Sequence, residues 1–113
     1  MSKKLLNLTL PIVLEEIENV LATYPKYPYQ QAFSVSELRQ DLVAYVLSRV
    51  PNKYAAVEET EPFVYQMGSS VYSSKQMLDI ENCIHIGIQD ILHVYHQTAS
   101  RLARSLSTSH LAS

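Results

Sequence analysis

"LRQDLVAYVLSRVPNKYAAVEE", residues 38–59, decides how this chain is read. Leu38, Leu42, Val46 and Val50 recur every four residues, and Val43 and Leu47 widen them into one apolar helical face. Pro51 ends the pattern, because a residue before proline is pushed out of helical backbone. Arg39, Asp41 and Arg49 lie off the stripe, and Asn52, Lys53 and Tyr54 follow the break at once. Such a set is either the solvated end of an ordinary helix or a ligand-binding surface.

Upstream, "SVSE" (34–37) reads as a capping box that starts this helix, with Ser34 as N-cap and Glu37 at the third position. Before it, "TYPKYPYQQAF" (23–33) reads as a linker, since Pro25 and Pro28 favour extended backbone. Tyr24, Tyr27 and Tyr29 are crowded into it. Packing the loop onto the domain is the plainer role for these rings, and a stacking platform for a ligand is the alternative. Further upstream, Leu10, Leu14, Ile17 and Leu21, with Val13 and Val20, predict a first amphipathic helix. Pro11 marks its first turn or a kink. The basic start and apolar run of residues 1–14 resemble a signal peptide. Asn7 and Thr9 interrupt the run, however, and Glu15 and Glu16 follow without a small-residue cleavage site, so the segment is assigned to the fold.

Downstream, "KYAAV" (53–57) and "PFVYQM" (62–67) have the make-up of short strands, with "EETE" between them and a Gly-Ser-Ser loop at 68–70. From Ser74 to Ser105 the period is helical again: Met77, Ile80, Ile84, Ile88, Ile91, Tyr95, Ala99 and Leu102 step by three and four. Gly87 weakens that helix slightly. A helix near thirty residues spans more than about 40 Å, longer than a small domain can cover, so a second subunit is expected against it. The expected fold is therefore mainly α: one domain over residues 1–105, with a long C-terminal helix, a short β element around residues 53–66, and a frayed tail over 106–113.

With 113 residues, 47% hydrophobic and 18% charged, the chain suits a single folded domain with a modest core. A net charge of −2 speaks against a sequence-independent grip on nucleic acid. No uncharged apolar run is long enough to cross a bilayer, and the single cysteine, Cys83, suits a reducing cytoplasm and a buried, inert thiol. Gly68 and Gly87 are the only glycines, which removes glycine-rich phosphate loops. Asp90, His93 and His96 could share part of a helix face and hold a metal. With no fourth ligand evident, a solvated face is the better reading, and no metal is assigned. Glu81 and His85, four apart, could form a helix pair. No nucleophile, base and orienting acid come together, so no catalytic residue is assigned and no enzyme is expected.

The polar set on and after the second helix holds the parts of a nucleotide site. Arg offers a planar fork to phosphate or guanine, Asp accepts from a guanine edge, and Tyr stacks on a base. The stretch 41–54 also resembles the signature of the late competence development protein ComFB family, through Asp41, Ala44, Leu47, Arg49, Pro51, Lys53 and Tyr54. "LPIVLEEIENVL" (10–21) is similar to that family's first helix, and the C-terminal segment to its last. Cysteines that bind zinc in some members are replaced here by Tyr and Pro, so the resemblance is to the branch without them and implies no zinc. That branch implies a non-catalytic homodimeric receptor for a cyclic dinucleotide, chiefly cyclic di-GMP with cyclic di-AMP as second candidate, relaying to a protein effector. Placing the ligand at Arg39, Asp41, Arg49, Asn52, Lys53 and Tyr54 rests on side-chain chemistry alone. The competing expectation is a structural or protein-interaction module of competence or type IV pilus machinery, without a small ligand. The weakest is a metal-dependent enzyme at Asp90, His93 and His96.

Overall fold

The computed structural model describes residues 3–58 and 71–112. Its elements are β1 (Lys3–Asn7), α1 (Thr9–Leu21), a short turn (Lys26–Gln30), α2 (Ser36–Leu47), β2 (Tyr54–Glu58) and α3 (Ser74–Ala112). The mainly helical class and the long last helix follow the expectation. The β element does so only in part. β2 forms where "KYAAV" predicts a strand, but its antiparallel partner is β1, with Lys3 opposite Glu58 and Asn7 opposite Tyr54. "PFVYQM" and the Gly-Ser-Ser loop lie outside the described residues.

α1 begins after Asn7, whose side-chain oxygen accepts the backbone N–H groups of Thr9 (2.8 Å) and Leu10 (3.1 Å). That satisfies two of the donors every helix start leaves open. Pro11 falls in the first turn, where a missing N–H is harmless. Ile12, Val13, Ile17, Val20 and Leu21 are buried, while Leu10 and Leu14 stand exposed at the rim of the face. The buried arc is displaced toward Ile12 from the face that spacing alone predicts.

The segment 23–33 is more ordered than a linker. Gln30 donates from its side-chain amide to the carbonyls of Leu21 (3.2 Å) and Tyr24 (2.9 Å), tying the turn to the end of α1. Tyr24 and Tyr29 pack against the core, 4.8 Å apart between ring centres, whereas Tyr27 is exposed. Phe33, 1% exposed, plugs the core ahead of α2. The capping box does not form. Val35 precedes α2 with no side-chain cap, and the Ser34 hydroxyl donates instead to the Gln31 carbonyl at 2.6 Å. The turn before α2 runs on through Ala32 and engages that hydroxyl first.

Ile17, Leu42, Val46, Ile80, Ile84 and Ile88 meet as the centre of the core. Burial of each contributes roughly 1.5–3 kcal/mol. Gly87 sits where α3 crosses α2: a Cβ there would lie 2.7 Å from Cδ1 of Tyr45 and 3.0 Å from Cδ1 of Leu42. The helix gives up propensity at this position so that two helices can approach closely. α3 has 39 residues, hence a length of about 58 Å, and the molecule measures 67 × 32 × 21 Å. Leu92 is the last buried residue of α3, and positions 93–105 are all exposed. Among the described residues, no helix is long and apolar enough to cross a membrane.

Candidate functional site

Asp41 and Tyr45 on α2 and Arg49 in the turn just past it are four apart and form one strip beside α3. The Arg49 guanidinium lies over the Tyr45 ring, 3.5 Å from its centre. The same guanidinium donates from one nitrogen to the Tyr45 carbonyl and the Ser48 hydroxyl, each at 3.0 Å. The Tyr45 hydroxyl donates to the Asp90 carboxylate at 2.8 Å. That bond, with lesser help from burial and the carboxylate's charge and against Arg49, raises the Tyr45 phenol above its ordinary value. Burial likewise pushes the Cys83 thiol up, with Arg49 opposing, although Cys83 is only partly buried and not the core residue expected from sequence.

An open groove of 430 Å³ runs between α2 and α3, lined by Leu38, Asp41, Tyr45, Asp90, Ile91, Val94, Tyr95 and Thr98. Its floor is apolar and its charged groups are two carboxylates. A second groove of 500 Å³ lies across Tyr95, between His96 and the turn that carries Tyr27 and Pro28. Asp90, His93 and His96 do not converge: among the described residues no three His, Cys, Asp or Glu side chains come together as a metal site.

The remaining residues singled out by sequence fall in different places. Arg39 is a strap. Its Nε donates to the Phe33 carbonyl at 3.0 Å and its Nη1 pairs with Glu18, so it ties α2 to α1 and to the preceding turn. It lies in the first turns of α2, whereas Arg49 lies just past the other end of that helix. Asn52 donates to the carbonyls of Leu47 (2.8 Å) and Val50 (3.1 Å) and closes the C-terminal end of α2. Tyr54 opens β2 and is exposed.

Lys53 belongs to a polar knot that spacing does not reveal. The Thr9 hydroxyl, fully buried, accepts the Lys53 backbone N–H at 2.8 Å and hydrogen-bonds the Tyr72 hydroxyl. Tyr72 donates onward to the Pro51 carbonyl at 2.5 Å. The Lys53 ammonium sits 4.6 Å from the centre of the Tyr72 ring and donates to the Val71 carbonyl at 2.7 Å. Pro51–Lys53 is thus pinned to the start of α1 and to the segment entering α3. Tyr45 and Tyr72 are absent from the set expected on side-chain chemistry. The four-residue steps Asp41–Tyr45–Arg49 hold the signal for Tyr45, and nothing local holds one for Tyr72.

His85 completes a further contact between elements. Its Nδ1 is 2.6 Å from the Tyr24 hydroxyl and its Nε2 is 3.9 Å from Glu81, the pair expected from their spacing.

The family model of late competence development protein ComFB matches residues 7–93. No curated protein and no solved structure matches the chain. The matched segment contains the α2 strip and the polar knot. It ends where α3 leaves the body of the domain.

Proposed function

The chain belongs to the late competence development protein ComFB family, and from that premise we propose that it is a non-catalytic cytoplasmic receptor for a cyclic dinucleotide. It works as a homodimer and passes the bound state to a protein effector. Cyclic di-GMP is the first candidate ligand and cyclic di-AMP the second. The observation that carries this reading is the Arg49 guanidinium, held 3.5 Å over the Tyr45 ring and exposed. Among the described residues its Nε and second terminal nitrogen have no partner, which leaves them as a fork for phosphate or a guanine edge. Lys53, next along the chain, uses one of its three ammonium donors on Val71. Tyr54 offers an exposed ring, Asn52 a side-chain oxygen, and Asp41 an acceptor on the same strip of α2. Arg39 contributes through the strap that holds α2 in place.

A second reading, a protein-interaction module of competence or pilus machinery without a small ligand, is favoured by the acidic groove, which repels phosphate. Titration calorimetry with cyclic di-GMP, cyclic di-AMP and their linear forms separates the two. Saturable binding of a cyclic dinucleotide, weakened by Arg49→Ala and leaving the ligand intact on long incubation with magnesium or manganese, supports the receptor. Absence of binding by every nucleotide leaves the interaction module, and steady conversion to a linear product overturns the non-catalytic assignment.

A further inference from the structure

Beyond Leu92, α3 keeps an apolar face that no described part of the chain covers. Val94, Tyr95 and Leu102 are 59%, 44% and 60% exposed. With Ile91 and Thr98 they continue at steps of three and four the seam that Ile84 and Ile88 begin inside the core. The overhang is positively charged: Arg101 and Arg104 are exposed, and among the described residues neither pairs with a carboxylate. The groove at its base has the opposite character, an apolar floor carrying Asp41 and Asp90. One molecule therefore presents both an apolar helix edged with arginine and an apolar groove edged with aspartate. Complementary surfaces on one chain call for a second copy.

The sequence sets the register. Asp90 and Arg101 stand eleven positions apart, about three turns and within roughly 20° of each other around the helix. They share one edge of α3, at nearly equal distances to either side of Tyr95 and His96. When two such helices lie antiparallel about a two-fold axis passing there, each Asp90 falls opposite the other copy's Arg101. A closed, isologous contact of this kind buries the same patch twice.

We propose that a second copy of this chain lays its α3 overhang antiparallel into the α2–α3 groove, with Arg101 of each copy paired to Asp90 of the other. This rests on the dimeric part of the proposed function and specifies its surface. The overhang from residue 94 onward lies beyond the family match over 7–93. Arg101 lies beyond that match and Asp90 within it. The geometry also links the dimer to the α2 strip: Asp90 accepts the Tyr45 hydroxyl, and Tyr45 carries Arg49 on its face.

A charge-exchange experiment on the full chain tests it by sedimentation. Wild type is expected to be a dimer at micromolar concentration. Arg101→Asp and Asp90→Arg should each set like charges opposite one another twice, weakening self-association about tenfold or more while helical circular dichroism stays unchanged. Mixing the two variants in equal amounts should restore a dimer. One contact of the mixed pair then joins the introduced arginine to the introduced aspartate, and the other joins the native Asp90 to the native Arg101. A wild type that stays monomeric at tens of micromolar overturns both this contact and the dimer, and leaves the overhang to a different protein. A wild-type dimer whose single variants dimerise normally, or whose mixture does not recover, overturns the contact alone. Dinucleotide titration of the wild type reads the receptor assignment independently.

Discussion

The two halves of α3 carry the same pattern and meet different fates. Ile80, Ile84, Ile88 and Leu92, in the core, are 0–5% exposed. Val94, Tyr95 and Leu102, further along the same helix, are 44–60% exposed. Periodicity identifies an apolar face. It says nothing about what covers that face, which depends on where the rest of the chain stops. The exposed half is the more informative one for the proposed dimer, since no described residue covers its apolar face and arginines edge it.

The sharpest way to break this comparison is to place a charge in each half. Ile84→Asp puts a carboxylate at a fully buried position and should destabilise by more than about 4 kcal/mol, leaving unfolded or insoluble chain. Leu102→Asp should change the stability of the isolated subunit by no more than roughly 0.5 kcal/mol, and reduce self-association instead. Urea denaturation at several protein concentrations separates the two effects. If both variants unfold alike, the overhang is covered within one chain and the comparison fails.

A second contrast sets the polar knot against the α2 strip. Thr9→Val keeps the shape but removes the acceptor of the Lys53 N–H and the partner of Tyr72. The expected loss is about 2–3 kcal/mol, the scale of buried groups left unsatisfied. Lys53→Ala should lose roughly 1–2 kcal/mol, because its ammonium is half-buried on Val71 and Tyr72. Arg49→Ala, exposed, should alter stability by under about 1 kcal/mol while weakening dinucleotide binding by roughly 1.5–3 kcal/mol. Chemical denaturation and calorimetry together check the pair. A Lys53→Ala protein with wild-type stability and lost binding would move Lys53 from the knot to the ligand.

What sequence can tell divides along the same line as these contrasts. Helical faces, the break at Pro51 and the strand after it depend on neighbours within a few residues, and all are readable. β1 is not, because Lys3–Asn7 is a strand only through pairing with Tyr54–Glu58, some fifty residues away. The site set rests on side-chain chemistry, and chemistry does not record direction. Arg39 and Asn52 have the donors of a nucleotide site and direct them to backbone carbonyls. The capping box fails for a related reason, since Ser34 has a competing carbonyl at Gln31. Gly87, a weakness of its helix by propensity, marks a close approach of α2 and α3. Gly87→Ala should gain about 1 kcal/mol of helix propensity and lose roughly 1–3 kcal/mol to overpacking against Tyr45 and Leu42. A net loss near 1 kcal/mol in thermal melts is expected, and a more stable variant would show that Tyr45 can swing aside.

The smallest expected effect concerns that same tyrosine. Donation to Asp90 comes first among the causes that raise the Tyr45 phenol above its ordinary value of 10.0, followed by burial and the carboxylate's charge, with Arg49 acting against them. The fold therefore favours the neutral phenol. Its contribution is complete below pH 10, where an unfolded tyrosine is still protonated, and is lost as the pH climbs through the raised value of the folded state. The ring is half-exposed, so the stabilisation is small and screened. Tyr45→Phe keeps the ring under Arg49 and removes only the hydroxyl. Every other side chain is common to the two proteins and cancels in the comparison. The melting temperature of wild type should exceed that of Tyr45→Phe by a constant margin up to about pH 9, then converge on it at higher pH. A margin that does not change between neutral and strongly alkaline pH would mean that the hydroxyl is not held by Asp90 in solution. In that case Asp90 would have no tie to the α2 strip, and a dimer contact made through Asp90 would have no route to the proposed ligand residues.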